Sequence, residues 1–237
     1  MTRKVILVFF LVLSLFIFLP ARSTVNRSIR VDNGESIRDN LSTVNGGIHI
    51  GRQCRISGSA RTVNGGIRVG DGSSVHALKT VNGRIRMGKD VRISGRVHTV
   101  NGGIHAGRGC EIRGSVSTVN GGIDLEGTRV VGDIITTTSH ITLEDGTRVT
   151  GDILIKKRGW SFFDIFRSRL RLRIRVRGNS VVEGDIVNRA RRTEVTVFLE
   201  EGGILKGRVI NARLEKRLIL RAGGLGILQY RLDFPRT

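Results

Sequence analysis

The chain has 237 residues, 39% of them apolar, with 32 glycines, two prolines, two cysteines and a formal net charge of +20. Apolar content of this size is enough for a core, and many glycines with few prolines argue for turns and against a helical protein. The length allows one large domain or two small ones.

The first 23 residues stand apart. A basic "TRK" precedes an apolar run from Val5 to Leu19, and "ARS" then offers Ala21 and Ser23 as small residues at a cleavage site. That is the grammar of a secretory signal peptide, with an uncleaved anchor as the alternative. The apolar run is short for a membrane span, which needs about 20 residues. No cysteine follows it, which argues against a lipoprotein. Cleavage after Ser23 leaves a mature chain that starts at Thr24 with charge +17.

Residues 24–155 repeat. The string "TVNGGI" begins at Thr43, Thr62, Thr99 and Thr118, with variants "TVNRSI" at Thr24, "TVNGRI" at Thr80 and "TTTSHI" at Thr136. The starts lie 18 or 19 residues apart, a fixed short period that means one supersecondary unit stacked on itself. Counting each Thr as position zero, apolar columns recur at position 1 (Val25 to Val119), at positions 5 and 7 (Ile48 and Ile50), and later in the unit (Ile56 and Ala60). Positions 5 and 7 flank an outward residue, which is strand alternation. Each unit therefore reads as a coil of about three short strands with about five side chains inside, a face that only stacking can bury. The expected fold is all-β: a single-chain parallel β-solenoid, right-handed by the crossover rule, of about ten coils.

In such a stack like residues lie about 4.8 Å apart. Asn26, Asn45, Asn64, Asn82, Asn101 and Asn120 are thus expected to form a hydrogen-bonded amide ladder at one corner. The two glycines after each Asn are expected to permit the tight bend. Cys54 and Cys110 occupy the same position three coils apart, about 14 Å, too far for an internal disulfide. Asp133, Asp152 and Asp185 each follow a late glycine, a column of carboxylates that leaves a polysaccharide-active enzyme as a remote alternative.

The repeat is interrupted over residues 156–173, expected to be an insertion, and degenerate coils and a cap fill 174–237. Four aromatic residues, Trp160, Phe162, Phe163 and Phe166, fall in the insertion, followed by the alternating "RLRLRIRVR". There Leu170, Leu172, Ile174 and Val176 are expected to face inward. Arg169, Arg171, Arg173, Arg175 and Arg177 would face out as a guanidinium comb suited to phosphate or carboxylate. The strand either re-enters the solenoid with a solvated basic face or, with the aromatics, docks on an anionic surface. Residues 156–237 carry net +12 against +5 for 24–155, so the positive field is concentrated there.

No catalytic, metal-ligand or cofactor-binding constellation is legible, and neither a cofactor nor a small-molecule substrate is expected. The "TVNGGI" coils with "GDI" turns and "ILIKKRGWSFFDIF" resemble the bacterial polymer-forming, bactofilin-like and adhesin-like β-solenoid proteins, in a secreted subgroup. The resemblance implies a non-enzymatic scaffold that self-associates end to end. An export signal points to the periplasm or cell envelope of a bacterium. The alternative function is an adhesin-like module that binds lipopolysaccharide or anionic lipid through its basic carboxyl-terminal third, with nucleic acid a weaker partner.

Overall fold

The structure is a computed structural model, described here for residues 22–157, 170–190 and 193–217. Among these residues there is no helix, and 27 strands pair in parallel into a 10-stranded and a 17-stranded sheet. The chain is a β-solenoid of about nine turns.

The two sheets make three faces. The first face stacks three-residue strands such as Ile29–Val31, Ile48–Ile50 and Ile67–Val69, each in register with the next coil. The 17-stranded sheet supplies the other two faces, because Arg55–Thr62 and Ser74–Lys79 run through the corner between them without a break. Stacking keeps its register despite the unequal coils. One 18-residue coil omits a residue where Ile56 and Ser59 oppose Val75 and Ala77, at the corner joining the second and third faces.

The core is a set of aliphatic columns running along the axis. Ile48, Ile67, Ile85, Ile104 and Ile123 are fully buried, as are Leu41, Ala60, Leu78, Val97 and Val116. One expected column is wrong. The position-1 valines lie outside, half-exposed along a corner, with Val25 63% exposed. Thr43, Thr62, Thr80, Thr99 and Thr118 point inward instead and are at most 3% exposed. Strand alternation requires it, since each Thr sits two residues beyond an inward residue such as Leu41 or Ala60.

Glycine at the "TVNGGI" corner answers to crowding. A Cβ on Gly46, Gly65, Gly83 or Gly102 would stand 2.4, 2.0, 2.0 or 1.9 Å from a carbonyl oxygen of the preceding coil. Positive φ at the "TVNGGI" corner is confined to Gly121 at 138° among the described residues, whereas the corner between first and second faces has it at Gln53, Gly72, Asp90 and Gly109, with φ of 55°, 68°, 57° and 77°. The first coil carries Arg27 at the crowded position, and among the described residues no coil lies beneath it.

The strand at the interruption is longer than its neighbours. Leu170–Val176 pairs with Ile141–Glu144 only through Ile174, Arg175 and Val176, while on its other side all seven residues pair with the strand Thr193–Glu200. The Arg173 amide still reaches the coil before it, donating to His140 Nδ1 at 3.0 Å, and the three residues ahead of it extend past that coil.

Candidate functional site

Polar side chains in the stack divide into those that join coils and those that face outward unused. The amide ladder belongs to the first kind. Asn45 Nδ2 donates to Asn26 Oδ1 at 2.9 Å, and the same bond recurs from Asn64, Asn82, Asn101 and Asn120 at 2.8–2.9 Å. Thr138 closes the run by donating to Asn120 Oδ1 at 2.7 Å. An interior member makes two such bonds and a terminal one makes a single bond. Asn82→Ala is therefore expected to cost about 1–2 kcal/mol in urea unfolding, and Asn26→Ala about half as much.

The buried threonines form a second set of coil-to-coil bonds. Thr62, Thr80, Thr99 and Thr118 donate to the carbonyls of Gly46, Gly65, Gly83 and Gly102 at 2.8–3.1 Å. Each hydroxyl thus satisfies the carbonyl that excludes a Cβ from the next corner. Sequence reasoning used this Thr only to number the repeat, although its two-residue step from the inward leucines was a legible signal.

Cys54 and Cys110 occupy a third such column, shared with Ser73, Thr128, Thr147 and Ser180. Both thiols are free and 2% exposed, and they donate to the carbonyls of Asp32 and Gly88 at 2.9 and 3.0 Å. Burial pushes the Cys110 thiol above its ordinary pKa. These cysteines do the work of hydroxyls.

The aspartate column is also engaged. Asp133 Oδ1 accepts from the Asp152 amide at 2.9 Å, Asp152 Oδ1 from the Asp185 amide at 2.8 Å, and Asp185 Oδ1 from the Arg208 amide at 2.8 Å. The Arg208 amide, then its guanidinium, holds the Asp185 carboxyl below the usual range. Among the described residues no group of three or more His, Cys, Asp or Glu could hold a metal ion.

Two histidine–serine pairs bridge coils, His76 Nδ1 with Ser94 Oγ at 2.9 Å and His98 Nδ1 with Ser117 Oγ at 2.8 Å. The first lies in a shallow depression of about 300 Å³ lined also by Arg55, Arg92, Arg113 and Glu111, whose carboxylate is paired with Arg113 at 3.2 Å. Neither imidazole has a carboxylate orienting it among the described residues, the third member that an activated serine needs. Burial, then the charges of Lys79 and Arg96, lowers the His98 pKa.

The basic strand alternates as its sequence suggests. Leu172, Ile174 and Val176 are buried, Leu170 is 39% exposed, and Arg171, Arg173 and Arg175 face solvent. Its charges are not equally available. Arg171 lies 3.6 Å from Glu194, and Arg177 is bonded to Glu144, which raises the Arg177 pKa. Arg173 and Arg175 have no carboxylate partner among the described residues. Trp160, Phe162, Phe163, Phe166 and Arg169 lie outside the described residues.

Fold and repeat together define a parallel β-solenoid repeat protein. No protein-family model matches the chain, and no curated protein or solved structure matches it.

Proposed function

We propose that the chain is a non-enzymatic structural β-solenoid, exported to the bacterial cell envelope, where it self-associates into a scaffold. The observation that carries this reading is the use of the repeated polar residues. The Asn, Thr, Ser/Cys and Asp columns each bond coil to coil, so the repeat builds a self-supporting body. The amino-terminal leader supports export, and the resemblance to polymer-forming solenoids supports assembly.

The strands of the first coil supply the edge. Ile29–Val31 and Ser36–Ile37 pair on one side only among the described residues, and unpaired parallel edges favour association. Arg27 constrains the join. A coil added beneath it in register would press a carbonyl against its Cβ, so an assembly using this edge is offset from the ladder. Sedimentation of the exported chain across a concentration series, with electron microscopy, is the test. Growth into ordered oligomers is expected; a monomer at every concentration would reject self-association.

A second reading is docking on lipopolysaccharide or anionic lipid through the carboxyl-terminal third. Arg173 and Arg175 favour it, because they are exposed and lack carboxylate partners among the described residues.

A further inference from the structure

The first face carries a second cationic feature, distant in sequence from the basic strand. Its outward residues in five consecutive coils are Arg30, His49, Arg68, Arg86 and His105, paired in register from each coil to the next. At about 4.8 Å per rung the row is about 19 Å long. None of the five has a carboxylate within ion-pair distance among the described residues. The row ends at Asp124, which follows His105 in register.

Glycine flanks most of the row, although in the first coil Asp32 takes the place of the glycine that follows. Gly47, Gly66 and Gly103 precede its members on one side, and Gly51, Gly70, Gly88 and Gly107 follow on the other. These positions add no side chains to shield the cations. In two of these five coils the second glycine of "TVNGGI" is replaced, by Ser28 beside Arg30 and by Arg84, a further cation, beside Arg86. Past the glycines runs the exposed amide ladder, a parallel row of hydrogen-bonding groups. Burial, then Arg68 and Arg30, lowers the His49 pKa, as expected for an imidazole held between fixed positive charges.

We propose that this strip binds a linear acidic polysaccharide laid along the solenoid axis, with carboxylate or sulfate groups on successive sugars meeting the cations. The complementarity is one-dimensional: Arg30, Arg68 and Arg86 supply the fixed positive charge, and the imidazoles of His49 and His105 stand in the same file as hydrogen-bonding groups, so a single file of anions can follow the row. Arginine forks bind carboxylate and sulfate in two-point fashion, while the neighbouring amides suit sugar hydroxyls. A lipid bilayer fits less well, because the exposed large apolar residues, Val25, Val131, Leu170 and Ile204, all lie outside these five strands. Single-stranded nucleic acid needs aromatic stacking platforms, and the five strands hold no Phe, Tyr or Trp. The site uses a side of the solenoid and is independent of assembly through its edge.

The test is calorimetric titration of the full chain with polygalacturonate and heparin, beside neutral dextran, single-stranded DNA and phosphatidylglycerol vesicles. Arg68→Gln/Arg86→Gln removes two charges from the strip. Arg55→Gln/Arg92→Gln removes two exposed arginines of the second face that have no carboxylate partner among the described residues. Thermal unfolding should be the same in both, since all four side chains are exposed. The expected result is binding to the acidic polysaccharides alone, weakened about tenfold by the strip variant and less than about twofold by the other. Equal losses in the two variants would overturn the proposal, as would no binding of polygalacturonate or heparin. A strip-dependent preference for DNA or vesicles would also overturn it.

Discussion

Gly102→Ala is expected to lower the unfolding free energy by about 3 kcal/mol or more, and Gly103→Ala by about 1 kcal/mol or less. The two residues are neighbours in one "NGG" triplet, and only the stacking separates them. A Cβ on Gly102 would lie 1.9 Å from the Gly83 carbonyl oxygen and 2.5 Å from its carbon. Backbone in the middle of a stacked corner cannot move aside without breaking the Thr99 bond to the same oxygen, 3.0 Å long. A Cβ on Gly103 would meet nothing closer than 3.3 Å, which a few tenths of an ångström relieve. The chain already shows the tolerance, since Arg84 occupies the equivalent position in its own coil. Urea unfolding of the two variants is the measurement. Equal midpoints would mean that the corners are not packed against each other.

Thr147→Val is the second large effect, expected to cost about 2–3 kcal/mol although the shape hardly changes. Thr147 is fully buried, and its hydroxyl reaches the Glu144 carbonyl at 2.7 Å and the Leu125 carbonyl at 3.0 Å. It also accepts from the buried Thr128 amide at 3.2 Å. Valine leaves that amide without a partner in a site closed to water. Thr147→Ser should restore all but about 1 kcal/mol, because Ser73 serves in the same column, donating to Gly51 and accepting from Cys54. Thermal unfolding of the Val and Ser variants side by side separates the lost hydroxyl from a lost methyl.

Both predictions concern roles that the sequence left unread. The sequence alone suggests conformational freedom for the corner glycines, whereas Gly46, Gly65, Gly83, Gly102 and Gly121 each answer to a carbonyl one coil away. Apolar character alone points the valines into the core, yet alternation from Leu41 puts Val44 outside and Thr43 inside. Asp133, Asp152 and Asp185 resembled a row of reactive carboxylates, and each spends an oxygen on the next coil's amide. The basic strand was legible as alternation, but Glu194 and Glu144, which engage Arg171 and Arg177, lie in other coils.

By itself the sequence determined the period, the strand alternation and the columns, because in a stack the neighbour of a residue is its counterpart one repeat away. That rule made the amide ladder and the row from Arg30 to His105 readable as lines. Only the tertiary structure decided which way each corner residue turns, which glycines have no room for a side chain and which arginines meet a carboxylate. Those outcomes depend on sub-ångström clearance and on ion pairs between coils, and neither leaves a trace in the order of residues along one repeat.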